Sequence, residues 1–70
     1  QMRIQSFLDE YVAATTLIRI VCKQEPDIFF EGYKGNIPDY PEIEEIAGDL
    51  GLWLYSVYSD NDVLVIVATY

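Results

Sequence analysis

The sequence predicts an α+β fold: a small antiparallel sheet of about four strands carrying two short helices, in the order α-β-β-α-β-β. Three observations predict it. The last third places Leu52-Trp53-Leu54-Tyr55-Ser56-Val57-Tyr58 and Val63-Leu64-Val65-Ile66-Val67-Ala68-Thr69-Tyr70 on either side of Ser59-Asp60-Asn61-Asp62, two β-rich runs around a turn. Residues 16–23 and 28–33 give a second pair of β-rich runs. Two further stretches space their apolar residues by three and four, the period of an amphipathic helix.

The elements follow in order. Ser6 with Asp9 has the S-x-x-D form of a helix start. Phe7, Leu8, Tyr11 and Val12 share one side, and Asp9 and Glu10 sit where the helix dipole favours acids. A helix over about residues 3–13 is expected, stopping before the β-branched pair Thr15-Thr16. In the first strand, Ile18, Ile20 and Cys22 form one face, and Leu17, Arg19, Val21 and Lys23 the other. Gln24-Glu25-Pro26-Asp27 reads as a turn, because proline presets the backbone angle a turn requires. The second strand covers residues 28–33, with Gly32 and Gly35 allowing a bend or a stop.

Asn36-Ile37-Pro38-Asp39-Tyr40-Pro41 is a stiff connection. Asp39 is the expected cap of the second helix, with Pro41 in its first turn. Ile43, Ile46, Ala47 and Leu50 form its apolar stripe, so Ile46 is expected to face the sheet. Gly51 is expected to end the helix in a left-handed conformation. Both helices can lie on one face of a single four-stranded sheet. A small Sm-like barrel is the alternative, without the glycine and polar signature of an RNA pocket.

Seventy residues allow one domain, 1–70, in which Met2 reads as the native start and Gln1 as a remnant of expression. A chain of this size buries only roughly 60% of its unfolded surface, so it needs a staple or a partner. Cys22 is the single cysteine and there is no histidine. Neither a disulfide nor an ordinary zinc cage is expected, and oligomerisation is the device that remains. The net charge of −8 repels nucleic-acid phosphates and anionic membranes and suits a basic protein partner. The longest apolar run, Val63 to Ala68, is far short of the ~20 residues of a membrane helix. A lone thiol and no secretion signal fit a reducing cytoplasm.

Constellations that could carry chemistry each have a plainer reading. Glu42, Glu44, Glu45 and Asp49 could hold a cation or dock a basic partner, but acids on an amphipathic helix are ordinarily a solvated face. Asp60-Asn61-Asp62 starts like a calcium loop and then fails, since Val63-Leu64 replaces its ligands; it is a turn. Cys22 has no base to activate it and is expected to be a buried thiol. Phe29, Phe30, Tyr33, Tyr40, Trp53, Tyr55, Tyr58 and Tyr70 could stack bases, but a strand-binding groove needs cations, and the chain has only Arg3, Arg19, Lys23 and Lys34. Core and protein–protein contact is the better reading. No catalytic residue, cofactor site or metal site is expected, and so no enzyme, although a carboxylate-only active site is compatible with the composition.

Ile28-Phe29-Phe30-Glu31-Gly32-Tyr33-Lys34-Gly35-Asn36-Ile37-Pro38, with Asn61-Asp62-Val63-Leu64-Val65-Ile66-Val67, resembles a class of very short bacterial proteins encoded by phages, prophages and mobile elements. The pattern covers about two-thirds of the chain, is weakest between Tyr40 and Gly51, and is structural punctuation rather than chemistry. It implies no activity, cofactor or functional residue.

The sequence names no activity. Its strongest functional expectation is a non-enzymatic, self-associating protein-interaction module. The last two strands are apolar on both faces, and two short helices cover only one. The expected contact surface is Trp53, Tyr55 and Val57 with Val63, Val65 and Val67, or an exposed sheet edge, in a homodimer or higher homo-oligomer. The second expectation is an acidic mimic of nucleic acid, with the carboxylates of the second helix, Glu25, Asp27 and Glu31 forming one dense array that occupies a host protein's binding site.

Overall fold

Val63 to Ala68 is nearly all apolar, as a strand buried on both faces and flanked on both sides should be. In the computed structural model, which describes residues 1–38 and 44–70, this run is β4 (Val63–Thr69), paired on one side with β3 (Trp53–Asp60) and on the other with β1 (Leu17–Cys22). The fourth strand, β2 (Glu25–Tyr33), pairs with β1, so the order is β2-β1-β4-β3. Together with α1 (Ile4–Tyr11) and α2 (Glu44–Leu50), this is an α+β fold in the expected element order. Both hairpins are antiparallel as expected, but β1 and β4 join them in parallel, Ile18 opposite Leu64 and Ile20 opposite Ile66. The sheet is therefore mixed, and it is open rather than a barrel.

Register explains the core. Residues paired across neighbouring strands share a face, so Ile18, Ile20 and Cys22 line up with Leu64, Ile66 and Ala68. Ile4, Leu8, Val12 and Leu50 close over this face, with Phe7, Phe29, Phe30, Ile37, Ile46 and Leu54 around the margin. Ile46 packs against the core as expected but is only partly buried, whereas Leu50 of the same stripe is almost wholly buried. The Asp39 cap, Pro41 and Ile43 lie outside the described residues.

Several local expectations are corrected. The N-cap of α1 is Arg3, without a side-chain cap, and Ser6 lies inside the helix. Ile4 takes the buried position expected of Tyr11, which is exposed with its ring 5.7 Å from that of Phe7. The first turn is only Lys23-Gln24, and Pro26 belongs to β2. An edge strand tolerates proline because one of its sides needs no donor, and the β1–β2 pairing is irregular between Val21 and Cys22. Gly51 has no positive φ. Its N–H bonds instead to the Gly48 carbonyl at 3.1 Å, tightening the end of α2.

The second hairpin turns where its chemistry allows. Asn61 and Asp62 have φ of 48° and 69°, the left-handed pair of a two-residue hairpin turn. In β2, Gly32 adopts φ 156° opposite Ile18, and a Cβ there would lie 3.4 Å from the Phe30 ring. Gly35 donates its N–H to the Ala14 carbonyl at 2.9 Å, and an added Cβ would sit 3.1 Å from Ala14. That close approach holds the single 3-10 turn Lys34–Asn36 against the segment after α1.

Cys22 is buried and unpaired, with Sγ 3.2 Å from the Gln24 Oε1 that accepts its proton. Labelling of the folded protein by a thiol reagent should run at the rate of unfolding, far below that of a free thiol. Labelling at the rate of the denatured protein would contradict this register.

A candidate interaction surface on the uncovered face of the sheet

Among the described residues, no helix packs on the face of the sheet opposite the core. Along β1 it carries Leu17, Arg19 and Val21, and along β4 Val63, Val65, Val67 and Thr69. Register adds Tyr33, Glu31 and Ile28 from β2, and Trp53, Ser56, Tyr58 and Asp60 from β3. Of the residues expected at the contact surface, Trp53, Tyr55, Val63, Val65 and Val67 fall on this face and Val57 does not. The β3–β4 register shifts between Leu54 and Ser56, so Tyr55 is an extra residue and Val57 pairs with Ile66 on the core side. A bulge reverses the alternation beyond it, and Ser56 and Tyr58 take the places that strict alternation assigns to Tyr55 and Val57.

Two of these residues are not available to a partner. Val65 is 1% exposed and Val63 is also buried, although no helix among the described residues lies above them. Beside them on β1 stands Arg19. Its guanidinium bonds Glu31 on β2 at 2.8 and 3.1 Å, and it also reaches Asp60 on β3 at 3.5 Å. Glu31 and Asp60 stand on the two outer strands, so these ion pairs link the two edges of the sheet. Glu31, by hydrogen bond and by charge, holds the guanidinium above its ordinary pKa, and Asp60 adds to this. Sequence reading missed Arg19. The signal was a single cation centred on an otherwise apolar strand.

Around this ion-paired centre the face is aromatic and aliphatic. Tyr55, Tyr58, Tyr33 and Ile28 are each more than half exposed. Lys23 Nζ sits 4.2 Å above the Tyr55 ring, and Arg3 Cζ lies 3.6 Å above the Trp53 ring, both within reach of a cation–π attraction. Arg3 also donates to the Gly51 carbonyl. Three of the four cations in the chain thus gather on or beside this face.

The acids gather elsewhere. Glu25, Asp27, Glu45 and Asp49 line one cleft of about 330 Å³ between β2 and α2, with Ile28 and Phe29. Glu31 is not among them, because it pairs with Arg19, and Glu42 lies outside the described residues. Burial raises the Asp49 carboxyl above its ordinary pKa, and the charges of Glu25 and Glu45 raise it further. Tyr70 donates its hydroxyl to Glu25, and that hydrogen bond, together with burial and the charge of Glu25, pushes its pKa up to about 12. Among the described residues no group of three or more His, Cys, Asp or Glu is placed to hold a metal ion, and no helix is long and apolar enough to cross a membrane. A second concavity, about 320 Å³, lies between α1 and the 3-10 turn, lined by Gln5, Leu8, Asp9, Lys34, Gly35 and Leu50 among others.

The raised Asp49 pKa has a definite sign. Its charged form is disfavoured in the folded state, so the carboxylate destabilises the fold at neutral pH. Asp49→Asn should raise the thermal midpoint at pH 7. The advantage should shrink as pH falls through the folded pKa and vanish below 3.8, the ordinary value, where both states are protonated. A variant with the same advantage at pH 3 as at pH 7 would rule out this origin.

Comparison with protein families, with curated proteins and with solved structures finds no match to this chain. The functional reading therefore rests on the geometry of the two surfaces described above.

Proposed function

We propose that this protein is a small, non-enzymatic protein-interaction module that self-associates through the uncovered face of its sheet. The observation that carries the reading is the exposure of Tyr55 and Tyr58 at 55% and 54% along one outer strand, with Tyr33 and Ile28 exposed along the other, on a face that no helix among the described residues covers. Aromatic residues in this setting supply contact area at low entropy cost. Exposed apolar residues framing an ion-paired centre have the mixed apolar and polar make-up of a protein interface. Light scattering over a concentration series tests it: mass should rise from one copy toward two as concentration increases through the micromolar range. A constant monomer mass at millimolar concentration would sink the reading.

The clustering of Glu25, Asp27, Glu45 and Asp49 in one cleft supports a second reading, in which the chain mimics nucleic acid and occupies the basic site of another protein. A phage or mobile-element setting would suit either role. Retention on a polylysine column that falls steeply with salt, and falls further in Glu45→Gln with Asp49→Asn, is the expected result. Equal retention of wild type and the double variant would remove this reading.

A further inference from the structure

Two routes to a dimer are open to a four-stranded sheet: edge to edge, or face to face. The edges are blunted. At β3, Leu54 N–H bonds the Met2 carbonyl at 2.7 Å and Ile4 N–H bonds the Leu52 carbonyl at 2.9 Å, so the N-terminal segment already occupies the start of that edge. The bulge at Tyr55 disrupts its middle. At β2, the edge carries Pro26 and an irregular register. Proline, bulges and a covering segment are the devices by which edge strands avoid pairing.

The uncovered face has the opposite character. Among the described residues it carries Arg3, Arg19 and Lys23 against Glu31 and Asp60. It bears no net negative charge, in a chain whose net charge is −8. Two copies of so acidic a chain repel each other in any orientation, and least when they approach by this face. A surface holding both signs can meet itself about a two-fold axis, the commonest symmetry of homodimers. Its size sets the strength. Four strands about 4.8 Å apart and about six residues long cover roughly 400 Å² in projection. Two copies would bury about 800–1,200 Å², at the low end of specific interfaces.

We infer that the partner at this face is a second copy of the chain, stacked sheet on sheet about a two-fold axis, in a weak dimer that salt strengthens. The inference rests on the self-association proposed above and fixes its geometry. Salt screens the repulsion between two strongly acidic bodies, whereas the contact itself is aromatic and aliphatic. An assembly held by the acidic cleft would respond in the reverse sense.

Sedimentation equilibrium of the full chain tests this in about 50 mM and about 500 mM sodium chloride, a range over which the screening length falls from about 14 Å to about 4 Å. The dimer dissociation constant should fall at least threefold at high salt. Tyr58→Glu and Tyr55→Glu should each raise it at least tenfold, while Tyr11→Glu, with the same added charge on an exposed position of α1, should match wild type. Thermal melts identify any variant that fails to fold, and a second exposed face position, Ile28→Glu, then serves in its place. A dimer unmoved by face variants, or one that salt weakens, overturns the stacked arrangement and leaves self-association standing. A monomer at every concentration overturns both.

Discussion

Ile66→Ala is expected to lower the free energy of unfolding by about 2–5 kcal/mol. Ile66 is 0% exposed on the central strand β4, opposite Ile20 on one side and Val57 on the other. Truncation removes apolar burial and leaves a cavity bounded by paired strands on both sides and helices above. Sheet hydrogen bonds hold those walls, so the site cannot collapse easily. A domain of this size has little stability to spare, and urea titration at room temperature should show a substantial unfolded fraction without denaturant. Ile28→Ala supplies the contrast: the same deletion at a half-exposed edge position should cost less than about 1 kcal/mol. Equal midpoints for the two variants would contradict the assignment of the core face.

Leu8→Ala is the second large effect, about 2–5 kcal/mol, and its consequence is local as well as global. The helix α1 spans eight residues, with no side-chain cap, no acid in its first turn and no base in its last. A helix so short is unstable in isolation; α1 exists because Ile4 and Leu8, one turn apart, are buried on the sheet. Removing Leu8 should release it, seen as accelerated amide exchange at Val12, whose N–H bonds the Leu8 carbonyl. Ser6→Ala should change stability by less than about 0.5 kcal/mol, because Ser6 lies within the helix and alanine is the better helix former there. A loss of about 1 kcal/mol in that variant would restore Ser6 as a cap.

The helices, the two hairpins and the Asn61-Asp62 turn were legible in the sequence because each depends on residues close together in the chain. Side-chain period and turn chemistry are local signals. The parallel pairing of β1 with β4 is not local, and nothing within either strand specifies it. A trace was present even so: β4 is apolar on both faces, which is the composition of an interior strand, and β1 is mixed because Arg19 serves the uncovered face. The side of the sheet on which the named strand residues fall was legible only in part. Tyr55 and Trp53 fall where alternation puts them, but the bulge sends Val57 to the core, and a bulge has no composition that strict alternation can reveal. Val63 and Val65 were expected at a partner's surface. They are buried instead, on a strand flanked by β1 and β3, and the ion pairs of Arg19 to both outer strands become legible only with the sheet order. The second helix was recognised from its stripe, and Ile46 and Leu50 both pack on the core; Leu50 is the more deeply buried because the angle at which a helix meets a sheet is set by packing.

The parallel pairing also bears on the order in which the molecule assembles. Each hairpin joins residues near one another in the chain and closes over a short loop, on the microsecond scale. The β1–β4 pairing joins Ile18 to Leu64 and Cys22 to Ala68, so it closes a loop that contains β2, α2 and β3. Closing that loop costs chain entropy before any core contact offsets it. The rate-limiting event in folding is therefore expected to be the meeting of the two hairpins, with the core created at the line where they meet. Ile66 and Ile20 lie on that line, and their truncation should slow folding. Changes at exposed positions of the outer strands, such as Tyr58 or Ile28, cost less stability and should slow folding less.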